Sequence, residues 1–295
     1  MPDLPTCNLC GSSAYSVIFK EFVAQVHQIV KCEKCGLMYA FPVHELNSDI
    51  YVNLSQQAPM KEDDASILQS LDKLSDYRRI PVELQKHICS KGRILDVGCY
   101  VGTFLYYLKS QGWDVVGVEL DSRAVRFARH RFGLRILNSS LESLDNANYH
   151  DSFDVVTFLH VIEHLDDPSS TVKVALRLLK HGGVFVVETP TYDSLIFRLL
   201  GRRERSVSCD GHIFFYTAKT LSKLLERTGF EILEWRKVGR TLSLGRLIWN
   251  VGVMLKSVTV QRALQRVTDA RNLNSNSLHI YLHMRDMIRF YCRKP

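Results

Sequence analysis

The sequence predicts an α/β protein in which a doubly wound parallel sheet follows a small cysteine-rich module and takes a helical insertion before its last strand. The prediction rests on two CxxC pairs near the N-terminus, short apolar strands that alternate with helical patterns, and an alternating C-terminal segment. A chain of 295 residues is long enough for one α/β domain and a smaller appendage. Its 46% hydrophobic and 23% charged residues are typical of a globular protein. The predicted boundaries are 1–51 for the module, 60–238 for the α/β core, 239–285 for a basic helical insertion and 286–295 for the closing strand.

The N-terminal module carries four patterned cysteines. Each CxxC pair is followed by a glycine, which lets the turn tighten without a Cβ clash, and the stretch between the pairs is β-rich. In a reducing compartment such pairs favour a metal over a disulfide, and zinc takes four ligands tetrahedrally. The sequence therefore predicts a zinc ribbon with a closed, structural site, and the alternative is a coincidental or vestigial pattern. The predicted ligands are Cys7, Cys10, Cys32 and Cys35.

The N-terminal sequence and the hydropathy of the chain predict a cytoplasmic protein. Met1-Pro2-Asp3 lacks the basic and apolar regions of a secretory signal, and no stretch approaches the roughly 18 apolar residues of a membrane span. The cysteines outside the CxxC pairs are interpreted as small buried hydrophobes, and a role in a functional site is kept as the alternative for Cys99. They are Cys89, Cys99, Cys209 and Cys292.

The middle of the chain alternates between short apolar runs and helical patterns. Strands and helices of these lengths in alternation predict a parallel, doubly wound sheet. Strands are predicted at 94–97, 114–118, 135–137, 153–158, 184–188, 230–238 and 287–293, and helices at 103–110, 122–132, 170–179 and 218–228. A polar, helical stretch from about residue 60 to 89 precedes the first of these strands.

A glycine-rich turn follows the first strand of the predicted core. Such a turn between a strand and a helix lets the backbone approach a ligand closely, although Gly98 and Gly102 alone are a weak signal. Asp96 precedes the turn, and Glu119 ends the second strand about 20 residues further on. A carboxylate at that position can accept hydrogen bonds from ribose hydroxyls. The pattern predicts a nucleoside-binding site at this edge of the sheet.

The motifs of the core resemble those of class I SAM-dependent methyltransferases. Residues 94–102 (ILDVGCYVG) are similar to the first motif of that family, and residues 116–121 (VGVELD) to the second. The resemblance extends from about residue 92 to 230 and implies a Rossmann-like methyltransferase sheet that binds SAM. It also implies that the methionine part of SAM lies near the glycine-rich turn, the ribose on Glu119 and the adenine near residues 140–142. The implied cofactor residues are Asp96, Gly98, Cys99, Tyr100, Gly102, Glu119, Leu120, Ser140 and Leu141.

The sequence departs from the family pattern at Tyr100, where a second glycine is usual. If this position needs a left-handed backbone, a residue with a side chain costs about 1–2 kcal/mol. Tyr100 is interpreted either as part of the pocket, lying over the cofactor or the substrate, or as a sign of a degenerate pocket. A degenerate pocket would make the protein a non-catalytic zinc-ribbon scaffold.

Three residues after the fourth core strand and one further along the chain are the candidate catalytic residues. On a helical turn His160, Glu163 and His164 would share one face, and His212 precedes a predicted helix. In the first interpretation His160 or His212 is a general base, and in the second all four residues bind a divalent metal that polarises the acceptor oxygen. In the third, Glu163 and His164 only hydrogen bond the loop.

The candidate catalytic pattern is similar to that of plant small-RNA 2′-O-methyltransferases and of ubiquinone-pathway O-methyltransferases. In the small-RNA enzymes a glutamate stands where His160 stands here. The CxxC module ahead of the core is similar to that of a branch that methylates sugars and other small metabolites. The leading prediction is therefore O-methylation of a small metabolite such as a sugar, a nucleotide-sugar or a glycolipid precursor. The alternative enzyme is a metal-assisted RNA ribose 2′-O-methyltransferase.

The formal net charge of +7 is unevenly distributed along the chain. From residue 239 to 283, six basic residues minus one acidic residue, Asp269, give a net charge of +5. The segment predicts contact with phosphate, nucleic acid or a lipid headgroup, with a solvated helix face as the alternative. A small, phosphate-bearing acceptor is favoured over nucleic acid, because the ribbon lacks interleaved aromatic and basic residues that would stack bases. Apolar residues at helical spacing add a prediction of peripheral membrane contact: Leu244, Leu247, Ile248, Val251 and Leu255.

Overall fold

The computed structural model describes residues 6–22, 26–41, 60, 67, 73–201, 204, 207, 211–243 and 279–295. Most of the predicted insertion, residues 244–278, lies outside the described residues. The described residues also exclude the apolar positions predicted for that segment and all but one of its basic positions. Elsewhere in the chain, Cys209 is outside the described residues as well.

Strands and short helices alternate along the described chain. The strands are β1 (Tyr15–Phe22), β2 (Val26–Cys32), β3 (Met38–Phe41), β4 (Arg93–Val97), β5 (Asp114–Val118), β6 (Ile136–Leu137), β7 (Phe153–Leu159), β8 (Leu179–Pro190), β9 (Phe214–Phe215), β10 (Glu231–Ser243) and β11 (His279–Arg293). The helices are α1 (Ile80–Leu84), α2 (Thr103–Ser110), α3 (Ser122–Phe132), α4 (Pro168–Leu178), α5 (Leu195–Leu200) and α6 (Ala218–Thr228), with 3₁₀ turns at Leu141–Leu144 and Ile162–His164.

The core is a seven-stranded sheet in the order β10-β11-β8-β7-β4-β5-β6. From β8 to β6 all neighbouring strands are parallel, whereas β11 is antiparallel to both of its neighbours. The C-terminal segment is therefore the penultimate strand of the sheet, inserted between β8 and β10. Parallel neighbours β4, β5 and β7 bring their carboxyl ends to one edge, which is where such a sheet exposes its ligand site.

Alternate residues of the core strands face two hydrophobic clusters on opposite sides of the sheet. Leu95 and Val97 face the cluster that contains residues of α4 and α6, and Ile94 faces the cluster that contains residues of α1, α2 and α3. The same alternation continues in β5, β7 and β8. Helices cover both faces, which is why the strands read as nearly continuous apolar runs. The predicted doubly wound fold is confirmed.

The N-terminal module forms a second, antiparallel sheet in the order β1-β2-β3-β9. Its last strand, β9, comes from the α/β core, where it follows β8 and α5 in the chain. Tyr39 pairs with Phe214, and Met38 pairs with Phe215. The core thus completes the sheet of the cysteine-rich module, and the hydrophobic residues of the two parts form one cluster.

The structure agrees with most of the predicted elements, and the differences concern length. The predicted bounds of β5, α2, α3 and α6 match the structure. α3 and α6 carry side-chain caps, such as the Thr217–Thr220 capping box of α6. β8, β10 and β11 are longer than predicted, and the pairing of β10 with β11 continues to Ser243 and His279. Both ends of the predicted helical insertion are therefore strand. α5 and β9 were not predicted, since they are too short to show a period.

The described residues also test the expectations about burial and hydropathy. Cys99 and Cys292 are buried as interpreted, whereas Cys89 is exposed, so the interpretation was wrong for Cys89. No helix within the described ranges has the length and apolar character needed to cross a bilayer.

Candidate active site

A cleft of about 1170 Å³ opens at the carboxyl edge of β4, β5 and β7. Pockets for small ligands have volumes of about 300–1,000 Å³, so the cleft has room for a nucleoside cofactor and part of an acceptor. Eight of the nine predicted cofactor residues line this cleft: Asp96, Gly98, Cys99, Tyr100, Glu119, Leu120, Ser140 and Leu141. The ninth, Gly102, is not among the lining residues.

The bend after β4 uses left-handed glycines where a side chain would collide. Gly98 has a φ of 66°, and a Cβ at this position would lie 2.7 Å from Cγ2 of Val161, which belongs to the turn after β7. Gly102 has a φ of 75° and is the N-cap of α2, and a Cβ there would lie 2.5 Å from Cδ1 of Leu134. Only glycine meets both requirements at low cost. Gly98 therefore brings the bend against the turn after β7, whereas Gly102 packs α2 against the core.

Tyr100 and Glu119 are joined by a hydrogen bond across the cleft. Tyr100 has a φ of 49°, so the left-handed conformation considered for this position is present. Its backbone N–H donates to Oε2 of Glu119 at 2.8 Å, and the N–H of Asp121 donates to Oε1 at 2.8 Å. Burial raises the pKa of Glu119, although the hydrogen bonds from backbone N–H groups act to lower it. A carboxylate oxygen accepts more than one hydrogen bond, so Glu119 is fixed in place and still able to accept from two ligand hydroxyls.

Asp96 is a buried carboxyl group at the end of β4. Its Oδ1 accepts a hydrogen bond of 2.6 Å from Oγ1 of Thr157, on the neighbouring strand β7. Burial, opposed by this hydrogen bond and assisted by the charge of Glu119, raises the pKa of Asp96 to about 7. A cationic group in the cleft would favour the ionised carboxylate. Thr157 was missed in the sequence, where its signal was a hydroxyl within an apolar strand.

The thiol of Cys99 is a packing group. A Cβ on Gly117 would lie 2.5 Å from its Sγ, so the sulfur packs against bare backbone of β5. Burial raises the pKa of Cys99 well above its usual range, which makes the thiolate scarce and the group unreactive. Asn138 lines the same side of the cleft and was also missed, and its Nδ2 donates to the carbonyls of Glu119 and Leu120.

His160 stands apart from the helical turn that follows it. It has a φ of 60°, and the 3₁₀ turn begins only at Ile162, so the predicted shared helical face with His164 is wrong. The imidazole lies between two carboxylates, with Nδ1 3.5 Å from Oε1 of Glu163 and Nε2 3.7 Å from Oε1 of Glu188. Burial and the charge of Lys73 lower the pKa of His160, although both carboxylates act to raise it. The neutral imidazole is therefore the dominant form at pH 7.

Glu188 and its partners are functional candidates that sequence reasoning missed. Oε2 of Glu188 accepts from Nε of Arg289 at 2.6 Å, and Nη1 of the same buried arginine donates to Oε2 of Glu83 at 3.0 Å. Glu188 lies near the end of β8, Arg289 lies on β11 and Glu83 lies on α1. The carboxylate that faces His160 is thus held by residues from two distant parts of the chain. The signal in the sequence was a single charged residue, Arg289, within the otherwise apolar run of residues 287–292.

Glu163, His164 and His212 form a group with metal-ligand geometry. One ligand atom from each of these residues lies within 4.8 Å of the other two, and His160 is not part of the group. Nδ1 of His164 lies 2.8 Å from the carbonyl of Gly211 and donates to it, so the lone pair of the neutral ring is on Nε2.

Glu163 is ionised and has a carboxylate oxygen that is available to bind a cation. Its Oε2 accepts from Oγ1 of Thr189 at 2.9 Å, whereas Oε1 is buried and has no hydrogen-bond partner among the described residues. Burial raises the pKa of Glu163, but His160, His164 and His212 outweigh it and hold the pKa at about 2. A buried, ionised and incompletely satisfied carboxylate beside two imidazoles fits a divalent cation.

The four patterned cysteines come together in the N-terminal module. Sγ of Cys7 lies 3.5 Å from Sγ of Cys35, and Sγ of Cys10 lies 3.5 Å from Sγ of Cys32. Around a tetrahedral zinc with Zn–S bonds of about 2.3 Å the sulfur atoms would be about 3.8 Å apart. All four sulfurs lie within 4.8 Å of one another, so the group is compatible with the predicted zinc site.

The cysteine-rich module contacts the turn that carries Glu163 and His164. Nδ2 of Asn8, inside the first CxxC turn, donates to Oδ1 of Asp167, which is the N-cap of α4. The N–H of Ala40 donates to the carbonyl of Ile213 at 2.8 Å, and the N–H of Ile213 donates to the carbonyl of Glu163 at 2.8 Å. His212 immediately precedes Ile213, so the module supports the segment that carries His212 and, through it, the turn that carries Glu163 and His164.

Comparisons with known proteins match the α/β core. A family model described as a methyltransferase domain matches residues 67–234. The chain is 30% identical over 192 residues to a probable S-adenosylmethionine-dependent methyltransferase of Mycolicibacterium smegmatis. The aligned region covers 64% of this chain and 72% of that protein. It is 33% identical over 116 residues to a ubiquinone biosynthesis O-methyltransferase of Alkalilimnicola ehrlichii, covering 37% of this chain. The chain spans about half, 47%, of the length of that second relative.

A solved structure shares the fold of the core. It is a protein of Bacillus halodurans provisionally described as a methyltransferase, with a TM-score of 0.51 and 17% sequence identity. The similarity covers 75% of this chain and 99% of that one. At this identity the similarity supports the fold alone.

Proposed function

Because this chain belongs to the family of class I SAM-dependent methyltransferases, we propose that it methylates an oxygen atom of a small metabolite such as a sugar, a nucleotide-sugar or a glycolipid precursor. The observation that carries the proposal is the position of His160, whose partly buried imidazole lines the same cleft as Asp96 and Glu119. A neutral imidazole is suited to remove the proton of a hydroxyl group. The similarity to a relative named as an O-methyltransferase supports oxygen as the acceptor atom.

SAM is the cofactor of the family, and the residues of the cleft fit it. Glu119 would accept hydrogen bonds from the ribose hydroxyls, and Asp96 would face the cationic methionine part beside the Gly98 bend. The segment from Asn138 to Leu141 would flank the adenine. When bound, SAM supplies a methyl group on a sulfonium, which is already activated for displacement.

The residues of the chain then have to align the acceptor and remove its proton. Alignment of two reactants supplies about 7–11 kcal/mol, and a positioned base adds about 10²–10⁴-fold. His160 would take the hydroxyl proton, and Glu163 and Glu188, which flank the ring at 3.5 and 3.7 Å, would stabilise the imidazolium that forms. Nε of Arg289 pairs with Oε2 of Glu188 at 2.6 Å and holds this side chain in place.

We further propose that Glu163, His164 and His212 hold a divalent cation. A cation at this group would polarise the acceptor oxygen and make its proton more acidic. The support is the buried Oε1 of Glu163, which lies in a group of three potential ligands. This oxygen makes no hydrogen bond of normal geometry among the described residues, and its contact with Nδ1 of His160 is long, at 3.5 Å. The cysteines would hold a separate, structural zinc.

The substitution Gly98→Ala tests the cofactor site. We expect it to weaken SAM binding at least about tenfold, because the new Cβ would press on Val161 and shift the bend. The matched control is Gly133→Ala, at a φ of 58° with no atom within 4 Å of the new Cβ. Both variants lose about 1–2 kcal/mol of stability to the left-handed backbone. Isothermal titration with SAM separates the two effects, and equal affinities in the two variants would contradict the proposed site.

The isosteric substitution Glu163→Gln tests the divalent site. We expect the affinity for Mn²⁺, measured by electron paramagnetic resonance, to fall at least about tenfold, since even outer-shell changes cost 10–100-fold. Glu142→Gln is the control, because Glu142 lines the same cleft outside the group. The zinc content of the ribbon should be unchanged in both variants. Full activity after chelation that spares the ribbon zinc would leave His160 as a base that acts without metal.

A further inference from the structure

One helix exposes an apolar face that neither the fold nor the proposed reaction uses. α5 follows β8 and contains no buried residue. Leu195 is 72% exposed and Leu199 is 83% exposed, the largest values for large hydrophobic side chains in the described part of the chain. Because residues four apart lie on the same face of a helix, these two leucines point the same way. Ile196 and Leu200, which are partly buried, border that face.

The outward orientation of this leucine face follows from the packing of the opposite side. The ring of Phe197 meets the ring of Tyr192 edge-on at 5.4 Å and packs against the cluster that contains Met38 and Phe215. Oγ of Ser194 caps the helix by accepting from the N–H of Phe197 at 3.1 Å. The cap and the aromatic contact fix the rotation of α5. Its leucines are therefore held toward the outside.

The sequence of α5 and of the residues that follow it carries a positive charge. Arg198 is exposed on α5, and the sequence continues with arginines at 202, 203 and 205. Four arginines minus Glu204 give this short segment, residues 198–205, a net charge of +3. Aliphatic residues beside arginines are typical of helices that lie in the interface of an anionic membrane. The composition fits a helix that lies on a bilayer rather than one that crosses it.

We propose that α5 binds the surface of an anionic lipid bilayer, with Leu195 and Leu199 inserted and Arg198 on the headgroups. A stable protein interface buries about 1,200–2,000 Å² in total, far more than one face of a six-residue helix offers. Insertion into lipid requires no shape complementarity and gains with each apolar side chain.

The position of α5 relative to the candidate catalytic residues relates the membrane contact to the proposed reaction. Tyr192, which holds Phe197, also has its hydroxyl 3.4 Å from Nδ1 of His212. A membrane at α5 therefore lies near the group that includes His212. Under the proposed function, and resting on it, this geometry narrows the acceptor to one with a lipid anchor, such as a glycolipid precursor.

Flotation with vesicles tests the proposal on the full chain. We expect the protein to float with vesicles of phosphatidylcholine and phosphatidylglycerol, and the double variant Leu195→Gln, Leu199→Gln to lose at least about a hundredfold in partition coefficient. Burial of one leucine side chain contributes about a factor of ten or more. Val82→Gln is the matched control, because Val82 on α1 is 64% exposed. Arg198→Gln should lower binding about fivefold, and only on vesicles with anionic lipid.

Three results would overturn the proposal. The first is that the wild-type protein fails to float with vesicles of phosphatidylcholine alone and with vesicles that also contain phosphatidylglycerol. The second is that the double variant floats as well as the wild type. The third is that sedimentation shows an oligomer for the wild type and a monomer for the double variant, which would assign the leucine face to a protein contact. Vesicle binding needs neither SAM nor an acceptor, so its failure would leave the methyltransferase assignment intact.

Discussion

Replacement of His160 by alanine is expected to lower kcat by about 10²–10⁴-fold, the range of a lost general base, while the affinity for SAM stays within about twofold of wild type. The imidazole lies between Glu163 and Glu188 and not among the groups proposed to hold the ribose or the methionine part. Its loss removes the proton acceptor and leaves Asp96, Glu119 and the Gly98 bend in place. A combined loss of kcat and of SAM affinity would indicate a structural role for the turn.

The measurement of the His160 effect is methyl transfer from isotopically labelled SAM to acceptors in a metabolite extract. His130→Ala is the control, because His130 is an exposed histidine on α3. The pH dependence gives a second readout. Burial lowers the pKa of His160 below its ordinary value of 6.5, so activity should persist to a lower pH than an ordinary histidine allows. The loss of activity at low pH that reports protonation of His160 should be absent from His160→Ala. A full rate in this variant would contradict the assignment of His160 as the base.

Substitution of Cys32 by serine is expected to abolish zinc binding and activity while SAM binding survives. A structural zinc supplies about 10–16 kcal/mol to a small metal-dependent fold, so the module would lose its order without it. The module contributes β3 to the pairing with β9 and Asn8 to the contact with Asp167. The cleft for the cofactor is lined by residues of the α/β core, and none of the four cysteines of the module is among them.

Metal content by atomic absorption and titration with SAM check the Cys32→Ser result. Cys89→Ser is the control, because Cys89 is exposed and lies outside the cysteine group. Asn8→Ala should show a partial loss of activity with zinc retained, since it removes only the side-chain contact with α4. Wild-type protein without zinc and with full activity would favour a vestigial pattern. Loss of SAM binding in Cys32→Ser would show that the module supports the whole core.

The α/β core was predictable because its signals are local. The bounds of α2 and α3 follow from apolar periodicity, from the Asp121 cap and from Gly133, all within one helix length. The candidate cofactor residues were predictable for the same reason, since Asp96 to Tyr100 and Glu119 end adjacent parallel strands. Gly102 was assigned to the cleft because motif position alone does not distinguish a residue that lines a pocket from one behind it.

The candidate catalytic residues were only partly predictable. The sequence brought His160, Glu163 and His164 together on a presumed helical turn, whereas the backbone of His160 is left-handed and places its ring toward Glu188. Their assignment to separate roles, a base and a group of metal ligands, depends on that single backbone conformation.

The amino-acid sequence by itself determined the alternation of strands and helices, the edge of the sheet that opens the cleft, and the pairing of the cysteines into two turns. Each of these depends on residues close together in the chain, whose periods and spacings are visible without a fold. The tertiary structure alone decided that Arg289 holds Glu188 and that β9 joins the cysteine-rich module to the His212 segment. Such contacts join residues 101 or more positions apart, and they form only when packing brings the strands together.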